Sequence, residues 1–143
     1  EDFPYEEVNL LVEVADYGWL EESPEDPYPD GTEAPIATWT PHTSVNGMTT
    51  RPANLPGGEH TVYATVFGSW ATIFPKGHQI LKIDFIETDN GWVGEVEVFA
   101  SDVGTPLPIT GGPDGNLYYA TFDHGGAVHV ISPQTFEGDF DWS

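Results

Sequence analysis

Apolar and polar residues alternate along much of this chain, which is the pattern of β-strands that bury one face. The strongest example is the stretch 79–102, where two alternating runs flank Asn90 and Gly91. Asn-Gly favours a two-residue hairpin turn, because a type I′ turn needs positive φ at both central residues. We therefore predict a hairpin that pairs outward from this turn, with Phe85 opposite Val96.

Pairing in this register divides the hairpin into two faces. The face expected to be buried is apolar and consists of Leu81, Ile83, Phe85, Val96 and Val98. The other face carries Asp84 opposite Glu97, with Glu95 and one lysine, Lys82, close by. Like charges at opposed positions destabilise a sheet, so this face needs a bound cation or a screening solvent.

Other stretches show similar patterns. We predict strands at 6–15, 36–40, 60–74, 117–123 and 127–131, and a last strand in the tail 134–143. The strand at 60–74 is apolar on both faces, so it is either central or bent at Gly68. The hairpin at 117–131 has two candidate registers, which pair His129 with either Phe122 or Ala120.

The connections between these strands are long and rich in proline and glycine. The acidic stretch 20–35 contains three prolines within six residues and is predicted to be a surface loop. The stretches 41–59 and 103–116 are also predicted to be loops. No long window repeats apolar residues at helical spacing, so little helix is expected.

About eight short strands and such loops indicate one all-β domain over 1–143. We predict an antiparallel β-sandwich of jelly-roll or immunoglobulin-like type, with a closed β-barrel as the alternative. The strand at 6–15 forms either an ordinary edge or a strand added to the sheet of another subunit.

The net charge of the chain restricts its possible functions more than any motif does. The chain has 24 acidic residues against three basic ones, Arg51, Lys76 and Lys82, and its formal net charge is −21. Carboxylates at this density repel one another in dilute buffer, and high salt, bound calcium or low pH relieves the repulsion. We predict a salt-adapted (halophilic) surface. Binding to nucleic acid or to anionic lipid is excluded as a function, because almost no cations face the phosphates.

The chain lacks cysteine, so disulfides and thiolate metal sites are excluded, but this says little about location because many exported proteins lack disulfides. It starts with Glu1 rather than methionine, which indicates a mature form that has lost its leader or a fragment of a larger protein. No apolar run of 18 residues occurs, so no membrane insertion is expected. The predicted location is extracellular or surface-associated, including a virion surface.

The acidic face of the hairpin is the main candidate metal site. A calcium or sodium ion there would have the ligands Asp84, Glu95, Glu97, Asp139 and Asp141, if the tail strand lies alongside. A zinc or copper site at Asp123, His124 and His129 is a weaker alternative, and a copper pair at His42 and Met48 weaker still.

Aromatic residues suggest a ligand surface. Three of them, Trp19, Tyr28 and Trp39, lie in or beside predicted loops, where exposed rings would form a stacking platform for carbohydrate. The alternative is that these rings pack under the loops or at a subunit interface.

Catalytic motifs give little support for an enzyme. Ser69 lacks the Gly-x-Ser-x-Gly setting of a nucleophile, and with so many acids a pair of carboxylates carries almost no information. We therefore predict an extracellular structural or assembly protein, a cell-surface, filament or virion subunit whose partner is itself or other subunits. The alternatives are a carbohydrate-binding module, calcium-dependent or not, and a secreted hydrolase or lyase.

Thermal unfolding in different salts tests whether the acidic residues reflect adaptation to high salt or a calcium site. A salt-adapted surface predicts a midpoint that climbs with molar NaCl, because screening weakens the repulsion between carboxylates. A calcium site predicts a midpoint that climbs at millimolar CaCl₂ and does not do so at equal ionic strength of NaCl. A midpoint that ignores both salts would contradict both interpretations.

Overall fold

The structure, a computed structural model, describes residues 3–19, 22–69 and 76–133. In chain order, the strands in this part of the chain are β1 (Glu6–Val8), β2 (Ala37–Trp39), β3 (Val45–Thr50), β4 (Thr61–Val66), β5 (Gln79–Thr88), β6 (Gly91–Ala100), β7 (Pro106–Gly111), β8 (Leu117–Thr121) and β9 (Ala127–Ile131). One 3₁₀ turn, Asp123–Gly125, accompanies them. Among the described residues, no helix is long and apolar enough to cross a bilayer.

The described strands form three open antiparallel sheets. We name β1–β2 the N-terminal sheet, β3–β6 the central sheet and β7–β9 the C-terminal sheet. The predicted all-β, sandwich-like class is confirmed, and the sheets do not close into the alternative barrel. In each sheet the strands lie side by side in chain order. The described strands therefore form three successive sheets rather than the two sheets of a simple sandwich.

Strand β4 is covered on both sides. The sequence predicted this, because the side chains on both faces of the strand are apolar. The front face of the central sheet packs on the C-terminal sheet through the buried residues Leu55, Tyr63, Ile80, Ile109 and Leu117. The back face packs on the N-terminal sheet through Ala37, Ala64, Val66, Leu81 and Ile83. Full burial of a large apolar side chain contributes about 1.5–3 kcal/mol. These two clusters therefore hold the three sheets together.

The predicted hairpin is present as β5–β6, but its register differs by two residues. Thr88 pairs with Gly91, so the turn residues are Asp89 and Asn90. The hydroxyl of Thr88 donates to the carbonyl of Gly91 at 2.7 Å, and Gly91 has a φ of 109°, which closes the turn one residue earlier than expected. A two-residue shift keeps each side chain on its face. The predicted apolar set therefore still shares one face, the back face.

The shift changes which charges meet on the front face. Asp84 lies opposite Glu95, and Lys82 lies opposite Glu97, instead of Asp84 opposite Glu97. The Lys82 ammonium donates to Asp84 Oδ2 at 2.5 Å and to Glu97 Oε1 at 2.8 Å. The Thr61 hydroxyl also donates to Asp84. A lysine therefore offsets much of the repulsion that the sequence predicted.

This arrangement shifts two pKa values. Burial would lower the pKa of Lys82, but hydrogen bonds to Asp84 and Glu97 outweigh burial and raise it. Burial would likewise raise the pKa of Asp84, but hydrogen bonds from Lys82 and Thr61 outweigh it, so the pKa is lowered. Both shifts favour the charged pair.

Two strands lie where the sequence predicted loops. In β3, a register shift between Val45 and Gly47 interrupts the period-two pattern, which hides the strand. In β7, Pro106 and Pro108 argue against a central strand, and β7 is indeed the edge of its sheet, where proline is tolerated. The hairpin β8–β9 pairs Tyr119 with His129, so both predicted registers are wrong. The 3₁₀ turn lengthens its loop.

The predicted strand at 6–15 is mostly wrong. Only β1 is extended, because β2 offers pairing positions for three residues, from Trp39 opposite Glu6 to Ala37 opposite Val8. Beyond it, Val14 has a φ of 62° and is 97% exposed. Residues 22–35 contain no strand or helix, in agreement with the predicted acidic loop. The predicted tail strand at 134–143 lies outside the described residues.

Replacing Asp84 by Asn should destabilise the protein by about 1–3 kcal/mol near neutral pH, because the buried Lys82 loses one of its charged partners. The stability that Asp84 contributes is fully present above its unfolded pKa, about 3.9. It is lost as the pH falls through the lowered folded pKa, so the two proteins should converge in acid. Urea unfolding of both proteins over a pH series measures this difference.

Glu97→Gln is the matched control. The Glu97 side chain is 62% exposed, against 34% for Asp84 and 11% for Lys82, so its loss should cost under about 1 kcal/mol. Equal losses for the two variants, or a difference that does not change with pH, would contradict the assigned roles.

Candidate functional site

The N-terminal sheet is narrower than the four-stranded sheet that it covers, and two grooves remain on the back face. The Trp39 groove, about 460 Å³, lies beside the C-terminal end of β2. The His60 groove, about 490 Å³, lies beside Val8 and Ile36. Ligand sites in proteins are usually clefts of this size, so both grooves are candidate ligand sites.

Gly94 determines how closely β2 approaches the central sheet. Its N–H donates to the carbonyl of Ile36 at 2.6 Å, so the two backbones touch. A Cβ at Gly94 would lie 2.6 Å from the Cβ of Ala37, which is too close for any other residue without a shift. Ala37 and Trp39 point to the same side of β2, so this contact also positions the Trp39 ring over the back face.

A carboxylate fixes the loop that follows β2. Glu6 Oε1 accepts hydrogen bonds from the backbone N–H groups of Thr43 and Ser44, both at 2.9 Å. His42 and Ser44 have φ values of 59° and 57°, which non-glycine residues rarely adopt. The two charge-assisted bonds help to hold this strained loop as one wall of the Trp39 groove.

Lys76 and Gln79 form the opposite wall of the Trp39 groove. The N–H of Gly68 donates to the carbonyl of Thr43 at 2.7 Å, which links this wall to the loop after β2. A Cβ at Gly77 would lie 2.5 Å from the Cα of Gly68, so both glycines are needed for the crossing. His78 Nδ1 forms a hydrogen bond with the carbonyl of Gly104 at 2.9 Å, which connects the segment 76–78 to the loop before β7.

The Trp39 groove combines one aromatic ring with groups that donate and accept hydrogen bonds. Its polar lining residues are Thr38, Thr40, Thr43, Lys76 and Gln79. Glu97 also borders the groove, but its carboxylate binds Lys82 on the front face. Trp39 Nε1 is buried and has no acceptor among the described residues, and such a donor is costly to leave unpaired. A ring beside amide, hydroxyl and charged groups suits a neutral, hydroxyl-rich ligand.

The His60 groove has a different character. Its walls are mainly apolar and include Leu10, Leu11 and Met48. The His60 ring meets Trp92 edge to face, with centroids 5.0 Å apart. Glu59 also lines the groove, so a histidine and a carboxylate are both present. Among the described residues, no hydrogen bond joins these two side chains, so the groove lacks an organised acid–base pair.

The three aromatic residues proposed as a sugar platform do not lie together. Trp39 lines its groove, whereas Trp19 is 80% exposed and lines neither groove. Tyr28 lies near β1, where partial burial and the charge of Glu7 raise the pKa of its phenol. No ring contact joins any two of them in the described part of the chain, so a flat platform of three rings is not formed.

The structure describes only three of the five residues proposed as cation ligands, Asp84, Glu95 and Glu97. Asp84 and Glu97 share Lys82, and residues 3–19, 22–69 and 76–133 contain no group of three His, Asp or Glu placed to hold a metal. Asp139 and Asp141 lie outside the described residues, so the calcium or sodium site stays a prediction.

The weaker zinc or copper alternative meets competing contacts. The Asp123 carboxylate accepts hydrogen bonds from the N–H and the hydroxyl of Thr105, at 3.0 and 2.6 Å. The His129 ring stacks on Tyr119, and its Nε2 lies 3.2 Å from the hydroxyl of Thr121. Asp123 therefore holds the segment that precedes β7, and His129 makes its contacts within the C-terminal sheet.

Sequence reasoning did not find Lys76, Gln79, Thr43 or Glu97 as parts of one groove. They come from separate segments that the crossing of β2 over β6 and the Gly68–Gly77 contact bring together. No local spacing in the sequence connects these segments.

Comparison with known proteins gives structural matches only. No protein-family profile matches the chain, and no curated protein sequence does. The chain is similar to the pyranose dehydrogenase PQQ domain of Coprinopsis cinerea, with 19% identity and a TM-score of 0.50 over 71% of this chain and 30% of that one. It is also similar to an oxidoreductase described as a glucose dehydrogenase from Thermus thermophilus, with 20% identity and a TM-score of 0.63 over 90% of this chain and 37% of that one.

The chain thus spans about a third of the length of the solved chains that it resembles. At this identity the likeness concerns the fold. Both solved chains are described as dehydrogenases, and this finding contradicts the predicted role as an extracellular structural or assembly subunit. The sequence did not reveal the likeness, because an all-β pattern is common to proteins of many functions.

Replacing Gly94 by Ala should push β2 away from the central sheet and destabilise the protein by about 1–3 kcal/mol. The Trp39 indole should move with it, which indole N–H chemical shifts in an NMR spectrum would report. Gly58→Ala is the control, since a Cβ there meets nothing within 4 Å and the residue does not have positive φ. A Gly94 variant as stable as the Gly58 variant would contradict the close contact.

Proposed function

We propose that this chain is part of a sugar-oxidising oxidoreductase domain of the kind that the two solved structures named above represent. The observation that carries the proposal is the match over 90% of the chain to the Thermus thermophilus oxidoreductase at a TM-score of 0.63. The described sheets would supply about a third of such a domain.

The sheet order supports this proposal. A four-stranded antiparallel meander, β3–β6, is followed directly by a second meander, β7–β9, that stacks on its front face. Successive meanders of about four strands are the repeating unit of propeller-type folds, in which sheets are arranged radially around a channel. A chain that forms two successive units and part of a third is suited to be a segment of such an arrangement.

The Trp39 groove is the proposed position for a pyranose substrate. A hexose ring has one apolar face that packs on an aromatic ring and hydroxyls that need several polar partners. Trp39 supplies the ring, and Gln79 and Lys76 supply donors and an acceptor from the opposite wall.

The residues present do not fit the cofactor named for the fungal neighbour. PQQ is a quinone that carries three carboxylates, so its site needs cations or many N–H donors. Of the three basic side chains, Lys82 is paired with Asp84 and Glu97, and Arg51 donates to backbone carbonyls of Gly58, Pro52, Ala53 and Leu55. Lys76 alone would face a trianion within a chain of net charge −21. We therefore assign no step to that cofactor.

Titration with glucose and other pyranoses, followed by indole N–H signals in an NMR spectrum, tests the groove. We expect the Trp39 signal to shift with millimolar sugar, because the indole ring gains a stacked ligand. Trp39→Ala should weaken binding at least tenfold, and Trp39→Phe should weaken it less because the ring remains.

Trp19→Ala is the matched control, since Trp19 is exposed and lies outside the groove. It should leave sugar affinity unchanged. An indole N–H signal that does not shift with any pyranose would contradict the assignment of the substrate to this groove. Equal losses of sugar affinity in the Trp39 and Trp19 variants would contradict it as well.

A further inference from the structure

The dipeptide Asn-Gly occurs at two positions, Asn46-Gly47 and Asn90-Gly91. Asparagine before glycine is chemically labile, because the backbone nitrogen of the next residue can attack the side-chain amide and glycine has no side chain to obstruct the attack. The two dipeptides share this chemistry. A difference in their reactivity in the folded protein must therefore come from their surroundings.

Asn90-Gly91 lies at the tip of the β5–β6 hairpin, and this tip is exposed. The pairing of β4 with β5 ends at Asp84, so in the described part of the chain the strand residues within 86–93 pair only with each other. All residues in 86–91 are exposed. A two-stranded hairpin without further support is marginally stable in water, so the tip opens at a low cost in free energy.

Few contacts restrain the reacting groups at this tip. No hydrogen bond to another described residue holds the side-chain amide of Asn90. A Cβ at Gly91 would meet nothing within 4 Å, so open space surrounds this residue. The Thr88 hydroxyl closes the turn, since it donates to the carbonyl of Gly91 at 2.7 Å and accepts from the N–H of Asn90 at 3.3 Å. When these two bonds break, the Asn90 amide and the Gly91 nitrogen can approach each other.

Asn46-Gly47 lies in β3, where the same dipeptide is restrained. The Asn46 amide donates to the carbonyl of Ser44 at 2.8 Å and to its hydroxyl at 3.3 Å. Gly47 pairs with Thr65 of β4, and a Cβ on it would lie 3.0 Å from the carbonyl oxygen of Leu107 in β7. Movement of the backbone at this position therefore requires the separation of β3 from both β4 and β7, which costs more free energy than opening a hairpin tip.

We propose that Asn90 is a site of spontaneous deamidation in the folded protein and that the fold protects Asn46. In this reaction the backbone nitrogen of Gly91 loses its proton and forms a bond to Cγ of Asn90. The bond between Cγ and Nδ2 breaks, and ammonia leaves with that proton. Water then opens the cyclic imide at either of its two carbonyls and leaves aspartate or isoaspartate at position 90. Water is the only co-reactant.

Both products change the hairpin tip. Each adds a negative charge next to Asp89, in a chain whose net charge is already −21. In isoaspartate the backbone also runs through the side-chain carbon, so the turn becomes longer by one methylene. This extra carbon disturbs the short turn that pairs Thr88 with Gly91. Deamidation should therefore loosen the part of the hairpin that has no third strand beside it.

Peptide mapping of the whole chain by mass spectrometry, after incubation in mildly alkaline buffer, tests the proposal. Trypsin cleavage after Lys82 places the two dipeptides in different fragments, and deamidation raises the mass of a fragment by about 1 Da. We expect Asn90 to convert at least about tenfold faster than Asn46 in the folded protein. The rate should rise with pH, because the attacking nitrogen must lose its proton.

The unfolded chain is the matched control. In about 6 M guanidinium chloride the two dipeptides should convert at similar rates, because the restraints of the fold are absent. Thr88→Val removes both hydrogen bonds of the hydroxyl and should at least double the conversion rate of Asn90 in the folded protein, with no change at Asn46.

The proposal would be overturned by an Asn90 that stays intact in the folded chain while it converts in the unfolded chain. Equal rates at Asn46 and Asn90 in the folded protein would also overturn it. A Thr88 variant in which Asn90 converts no faster than in the original chain would show that opening of the turn does not control the reaction.

Discussion

Strand β4 must be covered on both of its faces, and the arrangement of the other sheets depends on that requirement. Tyr63, Thr65 and Val66 are almost fully buried, so water is excluded from both sides of the strand. The C-terminal sheet covers one side and the short N-terminal sheet covers the other. Because two strands cannot cover four, the back face keeps open margins. The candidate substrate groove is one of these margins, so it is a direct consequence of how the core is completed.

The charged residues are distributed according to how deeply each part of the three sheets is buried. Buried parts of the stack tolerate few charges, and the ammonium of Lys82 enters the structure only with two carboxylates and a supporting hydroxyl around it. Most acids lie in loops and along β5–β6, where solvent reaches them. The paired lysine reduces the need for a metal ion at this position, which the sequence alone did not show. The net charge remains a property of the surface and its solvent rather than of the fold.

The sequence predicts the class and the hairpins well, and it predicts the details of pairing poorly. Alternation and the Asn90-Gly91 pair identified the longest hairpin, but Asp89-Asn90 is an equally short turn, and only the Thr88–Gly91 contact decides between them. Strands with a bulge or with prolines lack the alternating pattern, which is why β3 and β7 were predicted to be loops. Extended pairing from residue 6 to 15 failed because β2 is too short, a fact of tertiary structure.

The candidate site was also predictable only in part from the sequence. Trp39 could be selected from the sequence as a ring beside a loop, and the structure places it in a groove. Its polar neighbours could not be selected, because they meet through close backbone crossings at Gly94 and at Gly68–Gly77. A glycine in a sequence indicates freedom of the backbone, but it does not say which other backbone approaches it.

The meander order has a consequence for how the protein is made. Within the central sheet and within the C-terminal sheet, each strand pairs with the next strand of the same sheet, so these pairings close short loops and cost little chain entropy. A nascent chain emerging from the ribosome could therefore complete the central sheet before β7 is synthesised. The pairing of β1 with β2 is the exception, since the long acidic loop separates these two strands. Both strands leave the ribosome before the central sheet does, and the back of that sheet stays open to water until they pair and pack on it.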